Sequence, residues 1–172
     1  MKLWKILVLL AGLAGITGFF LPFVKYKSPD GSVTGTISAY QIVSGITDPN
    51  DIVDGDLPKL DQTQVTVLVK QFNEGLAEFK TAMLAFFTPA LLLALVGGLA
   101  VARGRMGRLA GIFALLLGLA NAGVFFLFYS VAKDSGQTDA TLGLGLTMLL
   151  VAGIGGALGG LGALFSPDTD NF

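Results

Sequence analysis

Hydrophobic positions along this 172-residue chain gather into four long runs, and the polar residues gather between them. The first, about 3–24, begins within MKLWK and is long enough for a helix across a hydrocarbon core of about 30 Å. Runs of similar length, free of charged residues, return at about 81–102, 109–132 and 141–165. The two lysines in MKLWK also suit a secretory signal. The run is long for one, however, and no A-x-A site ends it, so a retained helix is expected. Trp4 then marks one interface, with Phe19, Phe20, Phe23 and Tyr26 near the other.

The pattern changes over 25–80, which carries every carboxylate that precedes the second apolar run. KYKSPDGSVTGTIS places a Pro-Asp-Gly turn between stretches with β-branched residues and predicts a β-hairpin, with Gly35 as a bulge position. AYQIVSG suits a short helix or a strand, and TDPNDIVDGDLPK reads as a turn-rich acidic loop. Beyond Asp61, an N-cap candidate, Val65, Leu68, Val69, Phe72, Leu76 and Phe79 recur at helical spacing. That stripe predicts a helix running straight into the second membrane segment and facing the hairpin. Gly75 is its weak point, and Pro89 is expected to kink it. The fold class that follows is an all-α membrane protein: a four-transmembrane-helix bundle with a small extracytoplasmic region, 25–80. That region holds the β-hairpin and the helix continuous with the second transmembrane helix.

Composition sharpens this picture. With 53% hydrophobic and 13% charged residues, the chain departs from the roughly 25% charged content of soluble domains. It has no cysteine and no histidine, which excludes disulfides, thiolate catalysis, Cys/His zinc sites and histidine-ligated haem. No cofactor is implied. A net charge of -1 with scattered signs gives no basic face for nucleic acid, so membrane lipids, other membrane subunits or a second copy are the expected partners.

The 24 glycines concentrate where helices must meet. Gly153, Gly155, Gly156, Gly159, Gly160 and Gly162 in the last run, with Gly97 and Gly98 in the second, remove side chains and invite close backbone approach. The other segments are accordingly expected to pack around the last helix. Asn121 is the intramembrane polar residue, and Thr17, Thr88 and Thr147 are its candidate partners on neighbouring helices. No carboxylate, arginine or histidine lies inside the runs, which disfavours proton relay or ion-coupled transport.

Arg103, Arg105 and Arg108 crowd a very short turn, and so dense a basic hairpin is hard to translocate. The termini are therefore expected in the cytoplasm and 25–80 outside. The same arginines can bind anionic lipid headgroups or pair with Asp168 and Asp170, but a topological role is the preferred reading. Asp48, Asn50, Asp51, Asp54 and Asp56 offer oxygen ligands for Ca²⁺ in no EF-hand spacing, and a solvated loop is preferred. Ser38, Tyr40 and Lys59 are catalytic candidates by residue type alone.

Large and small residues divide along the membrane normal. Phe19, Phe86, Phe87, Phe125, Phe126 and Phe128 lie towards the outer end, whereas Ala94, Gly111, Ala114 and Gly118 join the other glycines towards the cytoplasm. Rings hold helices apart and small residues let them close, so a bundle tight inside and flared outside is expected. The aromatic end then offers a surface for a lipid tail, an isoprenoid or pigment-like molecule, or another transmembrane helix.

The order of elements, one helix, a long outer segment with a hairpin, then three helices on short turns, resembles the claudin-like tetraspan membrane proteins. The resemblance spans the chain and is one of topology. The family's first-loop Trp, Gly-Leu-Trp and cysteine pair are absent, Trp4 being the sole tryptophan, so no functional residue carries over. The expected function is a non-enzymatic structural or accessory subunit of a membrane protein assembly. The alternative is an enzyme or carrier acting on a lipid-like molecule in the outer leaflet.

Overall fold

The computed structural model describes residues 3–27, 34–47, 53–54, 62–134 and 141–167. In chain order the elements are α1 (Trp4–Phe20), β1 (Pro22–Lys27), β2 (Thr34–Ser38), α2 (Ala39–Ser44), β3 (Val53–Asp54), α3 (Gln62–Ala102), α4 (Arg108–Asp134), β4 (Thr141–Leu142) and α5 (Leu144–Phe165). Three helices are long and apolar enough to cross a membrane: α3 from Val69 to Ala102, α4 from Arg108 to Ser130, and α5. At 17 residues, α1 is shorter.

The first apolar run is helical only as far as Phe20, not to 24. Pro22 is the cause, because its ring disfavours the helical region for the preceding residue. Leu21 duly turns extended at ψ 157. Three residues of that run, Pro22, Phe23 and Val24, instead open β1, which pairs antiparallel with β2 as the expected hairpin. The sheet has two further strands and the order β3-β2-β1-β4. The bulge lies at Phe23, where the register shifts between Pro22 and Val24, and not at Gly35, which pairs with Tyr26 and Val53. An extra residue re-aims a side chain, and Phe23 is buried in the core.

The last helix likewise starts later than expected. Thr141 and Leu142 pair with Lys25 and Val24, and the Gly143 N–H donates to the Phe23 carbonyl before α5 begins. Only glycine fits this crossing, because a Cβ at Gly143 would lie 2.0 Å from the Pro22 carbonyl oxygen. AYQIVS resolves as the helix α2, opened by a capping box in which the Ser38 and Gln41 side chains bond each other's backbone N–H groups. The expected continuity into the second apolar run is present: α3 is one helix of 41 residues, with Pro89 inside it. Asp61, its proposed cap, lies outside the described residues.

Each long helix buries one face at helical spacing. On α1 it holds Val8, Ala11, Gly12, Gly15 and Gly18, and on α3 Met83, Phe87, Ala90, Leu93, Gly97 and Ala100. On α4 it holds Gly111, Ala114, Gly118 and Asn121, and on α5 Leu149, Ala152, Gly153, Gly156, Gly159 and Gly160. The helices pack α4 on α5, α5 on α1 and α1 on α3, and α3 closes back onto α4. So α5 is flanked by α1 and α4 rather than surrounded. Diagonally opposite, α3 meets it where Leu93 lies against Gly156. Leu84, Leu91, Leu95 and Leu99 of α3 and Leu109, Phe113, Leu116 and Leu119 of α4 face outward.

Candidate functional site

The bundle has two ends, one closed by the Arg103–Arg108 turn and one capped by the sheet. At the turn end, α1 presses onto α3 and α5 through backbone rather than side chains. A Cβ at Gly12 would lie 2.2 Å from the Ala94 nitrogen, and one at Gly97 2.5 Å from the Leu9 nitrogen. On α5, Gly160 meets Leu115 and the Gly111 carbonyl, Gly153 meets Ala122, Gly155 meets Ala11, and Gly159 and Gly162 receive Val8 and the Trp4 ring. Seven of the eight glycines singled out in the sequence lie so close to a neighbouring helix that a Cβ would come within 2.9 Å of it, and Gly98 does not. A Cβ at Gly98 would find only the Leu9 Cδ1, at 4.0 Å, because that position is turned off the buried seam. Gly12, Gly15 and Gly18 escaped the sequence reading although AGLAGITG repeats the same small-residue spacing.

Lys5 is 2% exposed, and its ammonium donates to the carbonyl of Gly104, which adopts φ 71. In the sequence this lysine is one of the two in MKLWK, at the start of the first apolar run. In the structure it fastens the turn to α1, while Met106 plugs the cluster formed by Val8, Leu93, Ala100 and Ala163. Arg103, Arg105 and Arg108 stand exposed around it. Asp168 and Asp170, their proposed partners, lie outside the described residues.

Asn121 is fully buried, but it does not reach another helix. Its Nδ2 donates to the Leu117 carbonyl one turn back at 3.0 Å, and its Oδ1 has no hydrogen-bond partner among the described residues. The three threonines do the same: Thr17 donates to Ala14, Thr88 to Leu84 and Thr147 to Gly143. All three threonines are exposed, whereas Asn121 is buried, and each takes the preceding turn's carbonyl as its acceptor, so the expected interhelical network does not form.

At the sheet end, rings fill the interior. Phe23 meets Phe128 edge-on at 4.9 Å and Phe87 at 6.1 Å, Phe86 meets Phe128 at 5.2 Å, and Phe19 meets Phe87 at 5.1 Å. They cover a core of Ala39, Ile42, Met83, Ala90, Leu146 and Leu149. Of the other expected surface rings, Phe125 stacks on Tyr129 and meets Phe126, which is exposed. The expected flare is therefore absent between α1 and α5, since a Cβ at Gly18 would lie 2.7 Å from the Gly145 carbonyl oxygen. Phe79, expected in the stripe facing the hairpin, is 54% exposed. Leu76 alone of that stripe's described side chains packs on the core, because the short α2 covers less of α3 than the stripe allows. The side chains of Val65, Leu68 and Phe72 lie outside the description.

An opening does exist between α1 and α3. A groove of about 330 Å³ is lined by Ile16, Phe19, Phe20, Leu84, Phe87, Thr88 and Leu91. A second cavity of about 500 Å³ lies beside it, lined by Phe20, Pro22, Thr36, Ser38, Tyr40, Gln41, Ser44, Gly45, Ile46 and Thr47. The wall of that cavity is held to α3 by Asn73, whose amide accepts the Ile46 N–H and donates to the Ile46 carbonyl, both at 2.9 Å. Neither the cavity nor this clamp was visible in the sequence. Of the catalytic candidates, Ser38 is committed to the capping box, Tyr40 is exposed, and Lys59 lies outside the described residues. So do Asp48, Asn50, Asp51 and Asp56 of the Ca²⁺ candidate. Among the described residues no three acidic side chains gather as metal ligands. No family model, curated protein or solved structure matches the chain.

Proposed function

We propose that this chain is a non-enzymatic structural or accessory subunit of a membrane protein assembly, engaging partner helices or lipids through its outward helix faces and the 25–80 region. The observation that carries this reading is the division of its chemistry. Of the buried polar residues among those described, Lys5 and Ser38 bond within the fold, and Asn121 gives its Nδ2 to the Leu117 carbonyl while its Oδ1 stays without a partner there. Outward, α4 presents Leu109, Phe113, Leu116 and Leu119 in a continuous apolar row that must meet lipid or another helix.

The reading includes α1 as a fourth span. What supports this is that its contacts run from Leu9 beside Gly97 to Gly18 beside Gly145, along the length of its neighbours. It also places the termini in the cytoplasm, on the strength of the arginine-dense turn. Cysteines introduced as Ser44→Cys and Ser166→Cys test this: an impermeant reagent added outside should label the first alone, and labelling of the second alone inverts the orientation. For the subunit role, the experiment is purification in mild detergent with mass spectrometry of co-purifying proteins. A stoichiometric membrane protein partner supports it. Turnover of a lipid substrate by the isolated chain overturns it in favour of the lipid-enzyme alternative.

A further inference from the structure

The geometry points to a binding site for a single-chain amphiphile with an uncharged, hydroxyl-bearing headgroup, its tail in the α1/α3 groove and its head in the cavity between β2, α2 and the Ile46 loop. This deepens the reading above, since it rests on the bundle lying in a bilayer. Two cavities of opposite character share one wall residue: Phe20 lines both, is 60% exposed, and meets the Tyr40 ring at 5.4 Å. The groove is apolar throughout. Its lone hydroxyl, on Thr88, is already given to the Leu84 carbonyl at 2.7 Å. The neighbouring cavity carries Thr36, Tyr40 and Thr47, whose hydroxyls have no hydrogen-bond partner among the described residues.

A molecule spanning both must therefore be apolar at one end and hydrogen-bonding at the other. Charge decides the headgroup. Among the described residues no lysine, arginine or carboxylate lines either cavity, Lys80, which approaches Gly45 beside Asn73, included. Burying a phosphate there without a cation would carry a desolvation penalty that a glycerol or sugar headgroup avoids. Nearby rings keep the site from collapsing. Phe19 and Phe20 meet at 5.3 Å, Phe19 and Phe87 at 5.1 Å, and Tyr40 stands over both phenylalanines of α1.

The test uses the full chain in phosphatidylcholine nanodiscs with a monoacylglycerol carrying a diazirine in its acyl chain, and maps the crosslinks by mass spectrometry. Labelling should concentrate on Ile16, Phe20, Leu84 and Leu91 and be competed by unlabelled monoacylglycerol. Leu84→Trp, which fills the groove from an exposed position, should reduce it at least fivefold, and Tyr40→Phe should weaken competition severalfold. Both variants should melt like the wild type. Should Leu84→Trp misfold, saturable competition on the wild type still decides. Labelling spread over Leu109, Leu116 and Leu119 and not saturable is ordinary contact with bulk lipid and overturns the site. Equal or stronger labelling by a lysophosphatidylglycerol probe overturns the uncharged headgroup. In either case helices that remain protected from protease in the nanodisc leave the subunit reading intact.

Discussion

The two ends of this bundle solve the same packing problem with opposite materials. At the arginine-turn end, a glycine on one side of each seam lets the partner helix approach closely, either with its backbone, as Leu9 and Ala94 do at Gly97 and Gly12, or with a side chain seated on the bare glycine, as Val8 and Trp4 do at Gly159 and Gly162. At the sheet end, the interior is wide enough that Phe23, Phe86, Phe87 and Phe128 fill it as an edge-to-face cluster. Backbone contact leaves no room for a ligand. Ring packing is coarser, and it leaves the groove beside Phe19 and Phe87. The difference teaches that a ligand site in such a small bundle belongs where side chains rather than backbones set helix spacing.

The sharpest way to break this comparison is to add volume at the tight end. Gly118→Leu should destabilise by about 3 kcal/mol or more, the upper range of overpacking, because its Cβ alone would lie 2.4 Å from the Ala157 nitrogen. Gly98→Leu, with nothing nearer than 4.0 Å, should change stability little. Unfolding of the two variants in mixed micelles measures the gap, and equal effects would remove the backbone seam. At the ring-packed end the sensitive change is removal. Phe23→Ala should cost about 3 to 5 kcal/mol as a core truncation, while Phe79→Ala at an exposed position should cost less than about 0.5 kcal/mol. Similar losses from both would return Phe79 to a core role. Removing the clamp should cost less than either the seam or the ring-cluster substitution. Asn73→Ala strips the Ile46 backbone of two hydrogen bonds and should destabilise by about 1 to 3 kcal/mol. Its clearer readout is faster amide exchange at Ile46, and unchanged exchange would show that the loop holds without Asn73.

The apolar helices, the long continuous α3, the hairpin and most of the close-contact glycines of α5 are legible in the amino-acid order alone. Those properties are local or periodic: an unbroken uncharged run, a Pro-Asp-Gly turn, and glycines spaced to fall on one helix face. Tertiary structure alone decided the rest. Nothing local distinguishes Gly98 from Gly97, because rotation about the helix axis is fixed by the partner helix. Lys5 reads as a charge at a helix end until a loop 99 residues away places the Gly104 carbonyl against it. Thr141 and Leu142 continue an apolar run and become a strand because β1 presents them with an unpaired edge. The groove has the same origin. Its walls come from α1 and α3, and its polar neighbour comes from β2, α2 and the Ile46 loop, so only the docking of those distant segments brings Phe20, Tyr40 and Leu84 to one place.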